Sequence, residues 1–323
     1  MEARTLGRTA VPVTALALGT APLGGMFRPV PEDDARATVD AAWDAGVRTF
    51  DTAPQYGAGR AEERLGTALR GRPRDELVVC TKVGRLVVPR DEGEGGGVGI
   101  FADTRGRGVA FDFSADGVRR SLEASLERLG LDRVDVLHVH DPDDHLDQAI
   151  AEALPALLEL RDEGVIGAVG AGMNAAGPLA RIVRETDVDC VLLAGRYTLL
   201  DRSGADYLLP LCAERGVSVI AAGVFNSGVL LDPRPGATFD YAPASDDVLA
   251  RAARIGERCA AHGVATATAA MRFPLRDPAV ASVLIGARSA DEVRANAAAF
   301  AADVPEALWK ELRPLSHPDG ARA

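Results

Sequence analysis

The sequence predicts an α/β protein folded as a closed (β/α)8 barrel, the TIM-barrel architecture, with an N-terminal β-hairpin and long loops at the C-terminal face. Three observations predict it. Short apolar runs of strand type alternate with longer amphipathic stretches of helical type from residue 16 to residue 300. Eight such runs occur, and strands that recur with a helix between them pair in parallel, so eight units can close on themselves. Glycine also precedes several of the runs, at Gly46, Gly164 and Gly216, where the end of a helix favours a left-handed residue. A length of 323 residues alone allows one domain or two; the unbroken rhythm points to one barrel domain over 1–323.

In chain order, residues 4–6 and 11–14 read as the hairpin. The barrel strands read as 16–18, 48–50, 77–81, 134–139, 165–169, 190–193, 217–221 and 280–285. The helical stretches are 32–45, 61–69, 116–129, 146–163, 178–185, 204–215, 245–261 and 290–300. Two segments break the rhythm. Residues 84–114 are too long for an ordinary connection and include the run Asp91-Glu92-Gly93-Glu94-Gly95-Gly96-Gly97, so they read as a lid or a floppy insert. Residues 225–241 carry Gly228, Pro233, Pro235 and Gly236, which argue against a regular helix. Both loops are expected to shape a pocket.

Composition narrows the class of partner. Asp and Glu number 47 against 36 Lys and Arg, a net charge of −11. Such a surface repels a phosphate backbone and excludes sequence-independent nucleic-acid binding, leaving small molecules as the expected partners. Cys80, Cys190, Cys212 and Cys259 form no C-x-x-C pair, so reduced thiols, a cytoplasmic location and no structural zinc are expected. Residues 9–27 are uncharged but interrupted by Pro12, Gly19, Pro22, Gly24 and Gly25, which leaves neither a signal peptide nor a membrane anchor in the reading. Oligomeric state is not legible.

Chemistry in such a barrel belongs at the C-terminal strand ends. The second run leads into Asp51-Thr52-Ala53-Pro54-Gln55-Tyr56, the third ends in Thr81-Lys82-Val83-Gly84, and the fourth in His138-Val139-His140-Asp141. Asp51, Lys82 and His140 are thus expected at equivalent heights on neighbouring strands about 4.8 Å apart, with Tyr56 just above. A phenol has a pKa of about 10 and needs a neighbouring cation to become labile near neutrality. Lys82 can be that cation, Asp51 can hold it, and His140 can orient a substrate oxygen. Each residue alone has a plain alternative: a turn aspartate, a packing tyrosine, a structurally paired lysine. Together they form a proton relay aimed at a carbonyl or a hydroxyl.

The stretch Gly46-Val47-Arg48-Thr49-Phe50-Asp51-Thr52-Ala53-Pro54-Gln55-Tyr56-Gly57, followed in order by Thr81-Lys82-Val83-Gly84-Arg85 and His138-Val139-His140-Asp141-Pro142, resembles the signatures of the aldo-keto reductase superfamily over nearly the whole chain. With Arg196-Tyr197-Thr198-Leu199-Leu200-Asp201, it is similar to the branch holding L-fucose dehydrogenase, D-threo-aldose 1-dehydrogenase and pyridoxal 4-dehydrogenase. The resemblance implies an NAD(P)-dependent oxidoreductase moving a hydride between nicotinamide and a sugar hemiacetal, giving a lactone, or an aldehyde or ketone. It makes Tyr56 the general acid/base, Lys82 its tuner, Asp51 the support of Lys82, and His140 the group that positions the reacting oxygen. It also implies cofactor contacts from Thr20, Ala21 and Asp51, from Gly172, Met173 and Asn174, and from Gly223, Phe225, Asn226, Gly228 and Leu230. A last group, Gly286, Arg288, Ser289, Glu292 and Asn296, follows the eighth strand. Departures from the common pattern are Ala194 for an expected glutamine and Ala222 or Gly223 for a stacking tyrosine, with Phe225 as a substitute apolar wall. Arg288 and Glu292 leave NAD and NADP both open.

Three rival readings exist. Gly170-Ala171-Gly172-Met173-Asn174-Ala175 fits the G-x-G-x-x-[GA] dinucleotide fingerprint, but the next strand ends in Leu193-Ala194-Gly195-Arg196 without the acid that motif requires. A tight strand-to-helix turn is preferred there. His138 and His140 fall on one side of a strand, as two metal ligands of a hydrolase would, yet His145, His262 and His317 stand at no strand end, and no metal is expected. The third rival is a non-catalytic, nucleotide-binding relative.

Overall fold

A computed structural model describes residues 1–90, 98–102, 104–240 and 242–315. Eight parallel strands close into a barrel. The chain begins with a hairpin of Ala3–Thr5 (β1) and Pro12–Thr14 (β2). Leu6, Val11 and Val13 of this hairpin join inward residues such as Ala17, Val136 and Ala281 in one apolar cluster, so the hairpin plugs the N-terminal end of the barrel. Leu16–Gly19 (β3), Thr49–Asp51 (β4) and Val78–Val83 (β5) follow. Arg85–Pro89 (β6) and Arg107–Phe111 (β7) pair antiparallel outside the barrel. The barrel resumes with Val136–His140 (β8), Ala168–Met173 (β9), Cys190–Ala194 (β10) and Ser218–Ala222 (β11). Thr238–Phe239 (β12) and Ala242–Pro243 (β13) form a small surface hairpin, and Val280–Gly286 (β14) closes the ring against β3. A second, larger core cluster lies between the strands and the surrounding helices.

The helices form where amphipathic spacing and caps coincide. Ala115–Leu129 starts at Ser114, whose side chain accepts from the Gly117 amide, and ends at left-handed Gly130. Asp246–Ala261 starts likewise at Ser245, and Ala290–Ala301 at Ser289. The predicted helix over 146–163 is interrupted, with a π turn at Ala149–Ala153 before Leu154–Asp162. Two helices were not legible as periodic stretches, Thr266–Arg272 and Glu306–Leu312; both are only seven residues long, under two turns. Among the described residues no helix is long and apolar enough to cross a membrane. All four cysteines are free and buried.

Two expectations are corrected. The fifth strand begins at Ala168 rather than 165 and runs through Met173, so Gly170 and Gly172 lie inside it. The fingerprint reading therefore fails, and the tight strand-to-helix turn is confined to Asn174 and Ala175, ahead of the helix Ala176–Glu185. The glycine at 170 answers a packing demand between neighbouring strands, because a Cβ there would stand 2.5 Å from Nδ1 of His138 and 2.7 Å from the carbonyl oxygen of Cys190, its register partners on the two flanking strands. Residues 84–114 are not a floppy insert where they are described, since β6 and β7 pair over five residues each. The run 91–97 lies outside the described residues.

Candidate active site

The C-terminal end of the barrel carries a cavity of about 560 Å³ lined by Asp51, Tyr56, Lys82 and His140. Strand register does not set the first, third and fourth of these side by side. Asp51 pairs with Cys80 and Lys82 with His138, so each residue stands two positions further along its strand than the one before. Strand tilt in a closed barrel and the reach of the lysine bring them together. Tyr56 lies in a run of tight turns: its amide donates to the Ala53 carbonyl at 3.1 Å, and its carbonyl accepts from Ala61 at 3.1 Å. Those turns lead directly into the helix Arg60–Leu69.

Lys82 is the hub. Its Nζ donates to Asp51 Oδ1 at 2.6 Å, to the Thr52 carbonyl at 2.9 Å and to the Tyr56 hydroxyl at 3.2 Å. Both members of the ion pair are buried, and Asp51 Oδ2 has no partner among the described residues. The His140 ring meets the Tyr56 ring edge-on, with centroids 5.7 Å apart.

Burial dominates the electrostatics. It works against the Lys82 ammonium, but the Asp51 carboxylate and the Tyr56 oxygen beside it raise the lysine above its ordinary value. Burial raises the Asp51 carboxyl despite Lys82. It also pushes Tyr56 up to about 12; Lys82 pulls the phenol down, and Asp51 pushes it up further. The expectation of a phenol already labile through Lys82 is therefore corrected: the cation eases ionisation without overcoming desolvation. Burial, then the charges of Arg85 and Lys82, hold His140 well below its usual range. The imidazole is neutral and hydrogen-bonding near pH 7, with Nδ1 unpartnered among the described residues. His138, level with Lys82 on the neighbouring strand, falls to about 3 through burial and the Lys82 charge.

The remaining predicted residues divide by location. Ala21, Gly172, Met173, Asn174, Gly223 and Gly286 line this cavity, although the Met173 side chain belongs to the core between strands and helices. Asn226 lines an adjoining cavity of about 500 Å³ that shares Met26, Ile100, Asn174, Ala194 and Gly223 with the first. Thr20 is fully buried and donates its hydroxyl to the Asp51 carbonyl at 3.0 Å, a structural bond. Leu230 is core, and Phe225 packs against that core; neither is a wall of these cavities, which correct the expected apolar wall at Phe225. Gly228 sits in the short helical turn after β11. Ser289 caps the helix that contains Asn296, and the Glu292 carboxylate accepts from the Arg288 amide at 2.9 Å.

Part of the main cavity's wall is small: Ala194, Ala222, Gly223 and Gly172 present nothing larger than a methyl group there, and Ala194 and Gly223 also line the adjoining cavity. Asn226 donates its amide to the Gly195 carbonyl at 3.3 Å and keeps a buried side-chain oxygen unpartnered among the described residues, an acceptor that a carboxamide donor would complete. Sequence reasoning missed Met26, Phe101, Phe111 and Arg85, which also line the main cavity. Only Arg85 lay in a quoted motif, and its position depends on a hairpin that periodicity does not reveal. Among the described residues no three His, Cys, Asp or Glu side chains gather as a metal site; His317 lies outside them.

Comparison with known proteins follows this geometry closely. Residues 15–316 match the pattern of the Aldo/keto reductase family. The chain is 43% identical to a D-threo-aldose 1-dehydrogenase of Pseudomonas sp, over 93% of each chain. It is 44% identical to a pyridoxal 4-dehydrogenase of Microbacterium luteolum, over 97% of this chain and 96% of that one. The holo form of an aldo-keto reductase from Bacillus halodurans superposes with a TM-score of 0.80 at 26% identity, over 98% of this chain and 97% of the other.

Proposed function

The chain belongs to the aldo/keto reductase family, whose members are oxidoreductases using nicotinamide cofactors, and from this premise we propose that it oxidises an aldose at its anomeric carbon to a lactone and, with the proton moving the other way, reduces an aldehyde to an alcohol. Membership sets aside the metal-dependent hydrolase, and 43% and 44% identity to two dehydrogenases favours a catalyst over the non-catalytic relative. The observation that carries the reading is the Lys82 ammonium joining the Asp51 carboxylate to the Tyr56 hydroxyl on the cavity wall.

The bound nicotinamide accepts or supplies the hydride. The chain's own residues manage the proton and the pose. Tyr56 holds its proton at neutral pH, since burial keeps the phenol near 12, and so it donates to a carbonyl oxygen as that oxygen gains charge. In the oxidative direction the anomeric hydroxyl proton passes to the Tyr56 oxygen while the C1–H bond breaks and the lactone carbonyl forms. Lys82 stabilises the phenolate that this requires, Asp51 keeps Lys82 in place, and neutral His140 hydrogen-bonds the reacting oxygen. Ala21, Gly172, Met173, Asn174, Gly223, Asn226 and Gly286 would hold the ring end of the cofactor. The segment bearing Arg288, Ser289, Glu292 and Asn296 would meet its adenosine end. The four free, buried thiols support a reducing cytoplasmic setting.

The test is absorbance at the reduced-nicotinamide band with NAD+ and NADP+ against L-fucose, D-arabinose, pyridoxal and a simple aldehyde. Aldose oxidation is expected to rise toward alkaline pH. Tyr56→Phe is expected to bind cofactor but to lose turnover by about 100- to 10,000-fold, and to flatten that rise. A variant with near-normal kcat would refute the role given to Tyr56.

A further inference from the structure

Two side chains in the main cavity have no part in the relay. Arg85 opens β6 directly after Gly84, whose φ is +99° and where a Cβ would stand 2.2 Å from the Phe113 ring. The chain therefore turns sharply out of the barrel at Gly84, which leaves Arg85 on the cavity wall with Tyr56 and His140. Arg85 is only 7% exposed. Its Nη2 donates to Asp141 Oδ2 at 3.2 Å, while its buried Nε has no partner among the described residues. Asp141 follows His140 and holds a left-handed backbone with φ of 40°, a conformation that a residue with a side chain adopts at a cost and that clusters at working sites. Its Oδ2 also stands 3.5 Å from His140 Nε2.

We propose that Arg85 and Asp141 form a hydroxyl-binding arm that selects polyhydroxylated substrates by gripping the hydroxyls beside the reacting carbon. This rests on the oxidoreductase reading above. A guanidinium only donates and a carboxylate only accepts, whereas a hydroxyl does both; a neighbouring pair of hydroxyls satisfies the two together. An unpaired arginine would select an anionic substrate, but Asp141 neutralises Arg85, so the pair fits an uncharged polyol better. A plain aldehyde offers the pair on the cavity wall no such hydroxyl, and a site built around these donors and acceptors discriminates against ligands lacking it. Phe101 and Phe111 add apolar wall to the same cavity, and the Phe111 ring lies under the Arg85 guanidinium at 5.2 Å.

The experiment measures kcat/KM for an aldohexose and for its 2-deoxy and 3-deoxy analogues, in wild type, Arg85→Met and Asp141→Asn, alongside a uronate carrying the same ring. Wild type is expected to penalise the loss of at least one hydroxyl by about 10- to 100-fold, and Arg85→Met to shrink that penalty to a few-fold. Asp141→Asn keeps a residue that tolerates the left-handed backbone but exposes the arginine charge; its uronate-to-aldose ratio of kcat/KM is expected to rise by about tenfold. Thermal-shift titration with the aldose reads binding without turnover, and the stabilisation seen in wild type should fade in Arg85→Met. A deoxy penalty equal in wild type and in both variants overturns the arm. A wild type that prefers the uronate makes the site an anion site and overturns it too. Absence of any nicotinamide-linked turnover in wild type, with every substrate tried, instead sinks the function on which the arm rests.

Discussion

Two carboxylate–cation pairs flank the strand β5, one on each of its faces, the inner one buried throughout and the outer one a buried carboxylate with a half-buried arginine. Facing inward, Lys82 pairs with Asp51 at 2.6 Å. Facing outward, Thr81 donates its hydroxyl at 2.7 Å to Glu62, whose other oxygen pairs with Arg128 Nε at 2.6 Å. The outer set is closed. Each Glu62 oxygen has a partner, and Arg128 also donates to Ser125 Oγ at 3.1 Å, so the pair ties the helix Arg60–Leu69, the strand and the helix Ala115–Leu129 together. The inner set is left open, with Asp51 Oδ2 unpartnered among the described residues and the third lysine contact given to a phenol on a cavity wall. Buried charge alone therefore does not mark a functional group. What distinguishes the inner pair is that its cation's hydrogen bonds end on a group a ligand can reach.

The largest expected effect breaks the inner pair. Lys82→Met leaves a buried carboxylate without its cation, which costs about 3–5 kcal/mol of stability, and it removes the group that eases Tyr56 ionisation, so turnover should fall by about 100- to 10,000-fold. Urea unfolding and nicotinamide-linked kcat measure the two losses. A Lys82→Met protein that turns over normally would make the two pairs equivalent. Glu62→Leu should lose less, about 1–3 kcal/mol, because the partly exposed Arg128 can turn toward solvent, and the folded fraction keeps its kcat, because nothing in the outer pair lines the cavity. If Glu62→Leu loses turnover as steeply as Lys82→Met, the contrast between open and closed pairs fails.

The same contrast explains what the sequence made legible. Asp51, Tyr56, Lys82 and His140 could be gathered by position alone, because barrel topology sends every strand's C-terminal end to one face. The barrel itself was legible from alternation. Gly170 and Gly172 fit a fingerprint by spacing alone; that they sit inside a strand, with Gly170 between His138 and Cys190 of the two flanking strands, depends on pairing that no local pattern shows. The acidity of Tyr56 was misjudged because the cost of its burial depends on how the insert and the loop after β3 cover the mouth; Phe101, 6.2 Å from the Tyr56 ring, comes from a segment without periodicity. Arg85 stayed hidden for the same reason. Its place on the cavity wall follows from β6 pairing with β7, a long-range contact that no local pattern announces.

A smaller effect separates charge that is stabilised from charge that is excluded. His138 stands level with Lys82 on the neighbouring strand, fully buried and with neither ring nitrogen partnered among the described residues, and burial together with the Lys82 ammonium lowers it to about 3. In the unfolded chain an imidazole titrates near pH 6.5. Between these values the unfolded state binds a proton that the folded state refuses, so stability falls as pH drops below about 6.5, by up to about 1.4 kcal/mol per pH unit for each such histidine. His140, also held low, adds to the slope. Above that pH neither contributes. Urea unfolding between pH 7.5 and 5 should therefore show a steeper acid loss in wild type than in His138→Leu, whose slope should lack about one proton. Equal slopes in wild type and His138→Leu, or an imidazole resonance of His138 that titrates near 6.5, would mean that water reaches this layer and that the interior beside the lysine is not closed.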